Sequence, residues 1–95
     1  MANKYTFKAT PTFWKMFYKL PPEQRKLAEE IFPIFKADPF DRRLKTHKIN
    51  RLSALYKKTI YAIYVDNDDF RACFFIDKGN VVISILIGNH DIYSS

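Results

Sequence analysis

Apolar and polar residues alternate over residues 4–9, where Tyr5, Phe7 and Ala9 share one face, and this period of two predicts a short opening strand. The period then changes. Thr10 is placed to cap a helix with Pro11 at its first position, and Phe13, Phe17 and Leu20 follow at helical spacing beside Trp14 and Met16. Leu20-Pro21-Pro22 breaks that helix. A second begins near Glu23 and carries Leu27, Ala28, Ile31, Phe32 and Phe35 on one face, so the two form a helical hairpin. Pro33 lies inside the second pattern and is expected to end or kink it. After Asp38-Pro39-Phe40 the periodicity weakens over residues 42–56, which read as a connector with a short strand or turn near residues 48–52. Three β segments then follow at residues 59–65, 70–76 and 81–87, punctuated by Asp66-Asn67-Asp68-Asp69 and Asp77-Lys78-Gly79-Asn80. The expected architecture is α+β: an N-terminal strand, then a helical hairpin packed on a C-terminal antiparallel β meander.

Length and composition narrow this picture. Ninety-five residues, 47% of them hydrophobic, suffice for a single domain over residues 1–95 and are too few for two. Nine Phe, six Tyr and one Trp supply enough buried area to stabilise so short a chain without staples. Cys73 is the lone cysteine and cannot form an internal disulfide. No apolar run with signal-peptide flanks opens the sequence, and the strongly apolar stretch 81–87 is only a strand's length, so a cytoplasmic location with no membrane insertion is expected.

Charge is concentrated. Sixteen Lys and Arg against ten Asp and Glu give a net +6, and residues 42–58 hold seven bases (Arg42, Arg43, Lys45, Lys48, Arg51, Lys57, Lys58) with no acid. Such a segment is suited to a polyanion, although a solvated loop without a ligand explains it equally well.

The turns also set a register. With Asp77 opposite Asn80, Arg71 faces Leu86 on one side and Tyr64 on the other, and the segment 88–91 emerges at the same end of the sheet. Tyr64, Arg71, His90 and Tyr93 are then expected to converge. Phe70, Ala72, Phe74 and Ile76 would pack on the hairpin, leaving Arg71, Cys73, Phe75 and Asp77 on an open, solvent-accessible face. A guanidinium there can clamp a phosphate in bidentate fashion, or pair with Asp66, Asp68 or Asp69. Gly88 lets the chain turn towards His90, whose imidazole can serve as general acid or base near neutral pH. Cleaving RNA without a metal needs a group that takes the 2′-hydroxyl proton, a cation for the crowded phosphate, and an acid for the leaving oxygen. His90, Arg71 and Lys48, with His47 and Lys45, are candidates for those roles, and Tyr64 or Tyr93 could stack on a base. There is no Gly-rich phosphate loop, and the two His and one Cys lack zinc-site spacing. Cys73 reads as a packed strand residue.

Taken in order, Lys19-Leu20-Pro21 at the helical bend, Asp38-Pro39-Phe40, the connector at residues 44–48, Phe70-Arg71, and Ile87-Gly88-Asn89-His90-Asp91-Ile92-Tyr93 resemble the RelE/ParE superfamily of bacterial toxins over nearly the whole chain. The resemblance implies the toxin of a type II toxin–antitoxin system: a ribosome-dependent messenger-RNA endonuclease, or mRNA interferase, that inhibits translation. It also implies metal-independent cleavage leaving a cyclic or 3′-phosphate end, with no cofactor. The implied partners are a cognate antitoxin, through which the toxin oligomerises and which would cover the open basic sheet face, and messenger RNA on the ribosome. Residue by residue, Arg71 matches the family's strand arginine, His90 a catalytic Arg or His after the strand-ending Gly, Tyr93 the following aromatic, and Lys48 a basic connector position. Lys45, His47, Arg51, Lys57, Lys58 and Tyr64 would bind RNA, and no metal ligands are expected. The chain departs from the RelE type on the second meander strand, where Ile60, Tyr61, Ala62, Ile63 and Tyr64 replace expected lysines, so His90 would carry more of the proton transfer, as in histidine-using members. The ParE branch shares the arginine and inhibits DNA gyrase without nuclease activity; an inactive toxin-like binding module is the third alternative.

Overall fold

A computed structural model describes residues 4–66, 69–89 and 92 of the chain. Strand β1 (Thr6–Ala9) runs into helix α1 (Pro11–Tyr18), whose first turn is capped as expected: the Phe13 N–H donates to the Thr10 hydroxyl at 3.1 Å. Helix α2 (Pro22–Ala37) follows the double proline, and it passes through Pro33 instead of stopping there. Pro33 and Glu29 are both exposed, so the carbonyl that loses its helical donor faces water and the cost of the proline is reduced.

The connector departs most from expectation. A 3-10 turn (Arg42–Leu44) is capped by the Asp41 carboxylate, and Lys45 then takes a left-handed conformation at φ 51° and ψ 41°. A two-residue strand β2 (His47–Lys48) and helix α3 (Asn50–Tyr56) complete it. Helix α3 was not expected. It is held by one deeply buried residue, Leu52, and by the Ser53 hydroxyl, which accepts the Ile60 N–H at 2.8 Å. Its end is another left-handed lysine, Lys57 at φ 57°.

Strands β3 (Tyr61–Tyr64), β4 (Arg71–Asp77) and β5 (Val81–Gly88) form the expected antiparallel meander, and all five strands join one sheet in the order β1-β5-β4-β3-β2. β1 lies parallel to β5 at one edge, with β2 at the other. Tyr64 faces Arg71, as expected, but Arg71 faces Gly88 and not Leu86. Two local features move the register. Asp77 pairs with Val81 across a turn made by left-handed Gly79 and Asn80, and a bulge between Cys73 and Phe74 leaves Ile85 as an extra residue on β5. The bulge sends the consecutive residues Ile85 and Leu86 into one core while Val82 and Ile87 stay in the other.

The sheet therefore has two covered faces. On one, Phe13, Phe17 and Phe35 from the hairpin meet Ile63, Phe70 and Phe74, with Phe35 edge-on to Phe74 at 5.1 Å and Tyr61 stacked on it at 5.4 Å. On the other, Leu52 of α3 and Ile92 pack against Ile60, Ala62, Cys73, Ile85 and Leu86. Cys73 belongs to this second core, where burial pushes its thiol up to about 12, in keeping with a packed strand residue. A side chain at Gly88 is disfavoured, because its φ is 157° and a Cβ would sit 3.0 Å from Cγ2 of Ile92. Among the described residues no helix is long and apolar enough to cross a membrane.

Candidate functional site

The second face meets the β2 edge around the ring of Tyr64. Strand pairing puts His47 opposite Ala62 and Tyr64 opposite Arg71, so all four side chains lie on the same side of the sheet. The Arg71 guanidinium carbon sits 3.6 Å from the Tyr64 ring centre, a close cation–π contact. Lys45 Nζ lies 5.2 Å from the same ring, and the His47 ring lies 5.8 Å away. Three basic groups thus surround one half-buried tyrosine.

Arg71 differs from the expected solvent-accessible clamp. It is only 6% exposed, and its Nη1 donates to the main-chain carbonyls of Phe70 at 3.1 Å and Asp66 at 3.3 Å. Alternation placed it correctly on the face away from the hairpin, but that face is covered by α3 and Ile92. Its charge is consequently delivered from the floor of the site, and its nearest consequence is to fix the Tyr64 ring.

Lys45 and His47 are the exposed members, and the ring of His47 is held in place. Its Nδ1 lies 2.9 Å from the Lys45 carbonyl oxygen, which can only accept, so Nδ1 carries the proton. In the neutral ring Nε2 then holds a lone pair. The left-handed backbone of Lys45, sparsely populated for a residue with a Cβ, turns that carbonyl towards His47.

Other candidates fall elsewhere. Lys48, Lys57 and Lys58 line a separate groove of about 430 Å³ with Asn50, Ser53 and Thr59. Lys58 also lies over the Phe75 ring at 5.0 Å. Arg51 is exposed on α3. Within the connector, Arg43 is engaged by Asp41 at 2.9 Å and holds that carboxyl down to about 2. His90 and Tyr93, with the turn residues Asn67 and Asp68, lie outside the described residues, so their expected convergence with Arg71 does too. Among the described residues no group of three or more His, Cys, Asp and Glu side chains is placed to hold a metal ion. His47 is among the expected candidates, but the anchoring of its ring leaves no mark in the sequence because the anchor is a main-chain carbonyl; the usable signal for the cluster is Tyr64, which the turn register sets beside Arg71.

No protein-family model and no curated protein sequence matches this chain. Several solved structures do match its fold. The RelE–RelB complex of the archaeon Pyrococcus horikoshii OT3 aligns at 16% identity over 92% of this chain and 96% of that chain, with a TM-score of 0.68. The YoeB dimer of Staphylococcus aureus aligns at 14% identity over 93% and 99%, with a TM-score of 0.64. A metal-bound toxin from Helicobacter pylori aligns at 16% identity over 93% and 97%, with a TM-score of 0.61. The chain therefore has the α+β fold of RelE-like toxins.

Proposed function

We propose that the protein is the toxin of a toxin–antitoxin system, an endoribonuclease that cuts messenger RNA on the ribosome in the cytoplasm and is neutralised by a cognate antitoxin. The carrying observation is the pinned, exposed imidazole of His47 beside Tyr64, with the charges of Lys45 and Arg71 around the same ring. Nε2 of His47 accepts the proton of a ribose 2′-hydroxyl. The oxygen then attacks the adjacent phosphorus, the bond to the 5′-oxygen breaks, and that oxygen takes up a proton, giving a 2′,3′-cyclic phosphate and a free 5′-hydroxyl. Lys45 meets the phosphate, Arg71 adds positive charge from below, and the Tyr64 ring offers a stacking surface to a base. His90 and Tyr93 are the sequence-based candidates for leaving-group acid and second aromatic. Lys48, Arg51, Lys57 and Lys58 give the RNA backbone a basic track beyond the reacting edge.

One observation favours a non-catalytic reading, whether gyrase inhibitor or inactive binding module. The strand arginine is committed to a tyrosine ring and two carbonyls and is nearly buried. Inducible expression in bacteria with transcript ends mapped separates these functions. Codon-phased cuts in translated messages, absent in a His47→Gln strain making equal soluble protein, support the nuclease. Intact transcripts with DNA damage would replace it with gyrase inhibition, and intact transcripts with normal growth would leave a binding module.

A further inference from the structure

The imidazole of His47 is set by contacts that begin before its own strand. β2 pairs with β3 through two residues, His47 opposite Ala62 and Lys48 opposite Tyr61, so the sheet holds the chain from His47 onward and no earlier. The Lys45 carbonyl that accepts the His47 Nδ1–H lies ahead of that pairing. Its position depends on a left-handed Lys45 backbone at φ 51°, which a residue with a Cβ keeps only where its surroundings hold it there. Two contacts supply that hold. On the near side the Lys45 N–H donates to the Arg42 carbonyl at 3.2 Å and closes the 3-10 turn. On the far side the Thr46 hydroxyl donates to the Pro39 carbonyl at 2.6 Å, across seven residues of chain.

Pro39 and Leu44 are both fully buried, so the loop that Thr46 closes is rooted in the core at two points. The peptide joining Lys45 to Thr46 contains the carbonyl that His47 uses. Clamping it therefore decides which imidazole nitrogen carries the proton. We propose that Thr46 is a positioning residue, whose hydroxyl latches residues 39–46 into a closed loop and thereby holds the His47 ring in its Nδ1–H form, leaving the lone pair on Nε2. The latch is read from geometry alone; that it serves RNA cutting rests on the proposed endoribonuclease function. A hydroxyl that only satisfied a buried carbonyl would affect stability and leave the ring unchanged. Thr46→Val separates the two roles, because it keeps the β-branched shape and takes away the donor. Without the latch the Lys45 backbone relaxes and its carbonyl turns from Nδ1. The neutral ring then returns to the tautomer mixture of a solvated imidazole, in which Nε2–H predominates.

The test reads tautomer and rate on the same full-length proteins, below the melting transition of each. Isotope-edited NMR of the ring nitrogens, at a pH where the ring is neutral, distinguishes protonated from bare nitrogen, and the His47 signals are those lost in His47→Gln. Wild type and Thr46→Ser, which keeps the hydroxyl, should both show Nδ1 protonated and Nε2 bare. Thr46→Val should show the proton mainly on Nε2. In programmed ribosomes Thr46→Val should cut roughly three- to tenfold more slowly in a single turnover, since the rate follows the fraction of rings with a free Nε2, and Thr46→Ser should restore it. A wild-type ring protonated at Nε2 would overturn the proposal without any variant. So would a folded Thr46→Val protein that keeps the Nδ1–H form, or a Thr46→Ser protein that behaves like Thr46→Val. A tautomer that changes while cutting stays at the wild-type rate would uphold the latch and retire His47 as the base. The expected tautomers in a wild-type protein that cuts no RNA would uphold the latch and retire the proposed function alone.

Discussion

The two faces of the single sheet are built for different ends. The hairpin face is an aromatic core in which Phe13, Phe17, Phe35, Phe70 and Phe74 interlock with no charge among its buried members. The α3 face is smaller, rests on one short helix, and grades within a few residues from buried Leu52 and Cys73 to Arg71, Tyr64, Lys45 and His47. A sheet that commits one side wholly to dry packing can tolerate, at a cost in stability, a nearly buried guanidinium and a left-handed lysine on the other.

Mutations can break that contrast. The largest loss is expected from Phe74→Ala, which removes a ring touching Phe35, Phe40 and Tyr61 and should destabilise by about 3–5 kcal/mol in urea unfolding, with cutting lost only through unfolding. Leu52→Ala on the other face should cost about 2–4 kcal/mol and also loosen the β2 edge, so that ribosome-bound message is cut more slowly even in the folded fraction, as single-turnover rates would show. Alkaline unfolding sharpens the comparison further. Burial raises the Cys73 pKa from 9.0 to about 12, so the unfolded chain loses its proton first and stability falls as pH rises from 9 towards 12. Wild type should therefore lose roughly 1 kcal/mol more per pH unit than Cys73→Ala across that window. The smallest effect belongs to Lys45→Gly. Glycine accepts the left-handed backbone, so stability should stay within about 0.5 kcal/mol of wild type by thermal melting, whereas Lys45→Val should lose about 1–2 kcal/mol. Both variants should bind RNA less tightly, and equal affinity with wild type would remove Lys45 from the site.

Much of the fold was legible because the signals were local and repeated. The Thr10 cap, the double proline, the hairpin stripe and three alternating segments each reappear as elements near their expected limits. The misses share a cause: they are settled by tertiary contacts that leave little trace in composition. Helix α3 has seven residues, Ile49 in place of a capping side chain, and no glycine at its end, so its polar and basic sequence looked like a connector. The bulge at Ile85 breaks a strand that is apolar but for Ser84 and Gly88, and it moved Gly88 opposite Arg71. Once α3 was missed, the face carrying Arg71 was expected to be open. The sheet face expected to be open to an antitoxin is instead packed by Leu52 and Ile92.

The central claim is that RNA is cut at the His47 edge. It is tested most directly by measuring the single-turnover rate of message cleavage in programmed ribosomes for wild type and His47→Gln, whose melting temperatures should match because the side chain is exposed. Loss of general-base catalysis should lower the rate by about 10²–10⁴-fold. A His47→Gln protein that cuts at the wild-type rate would contradict the account.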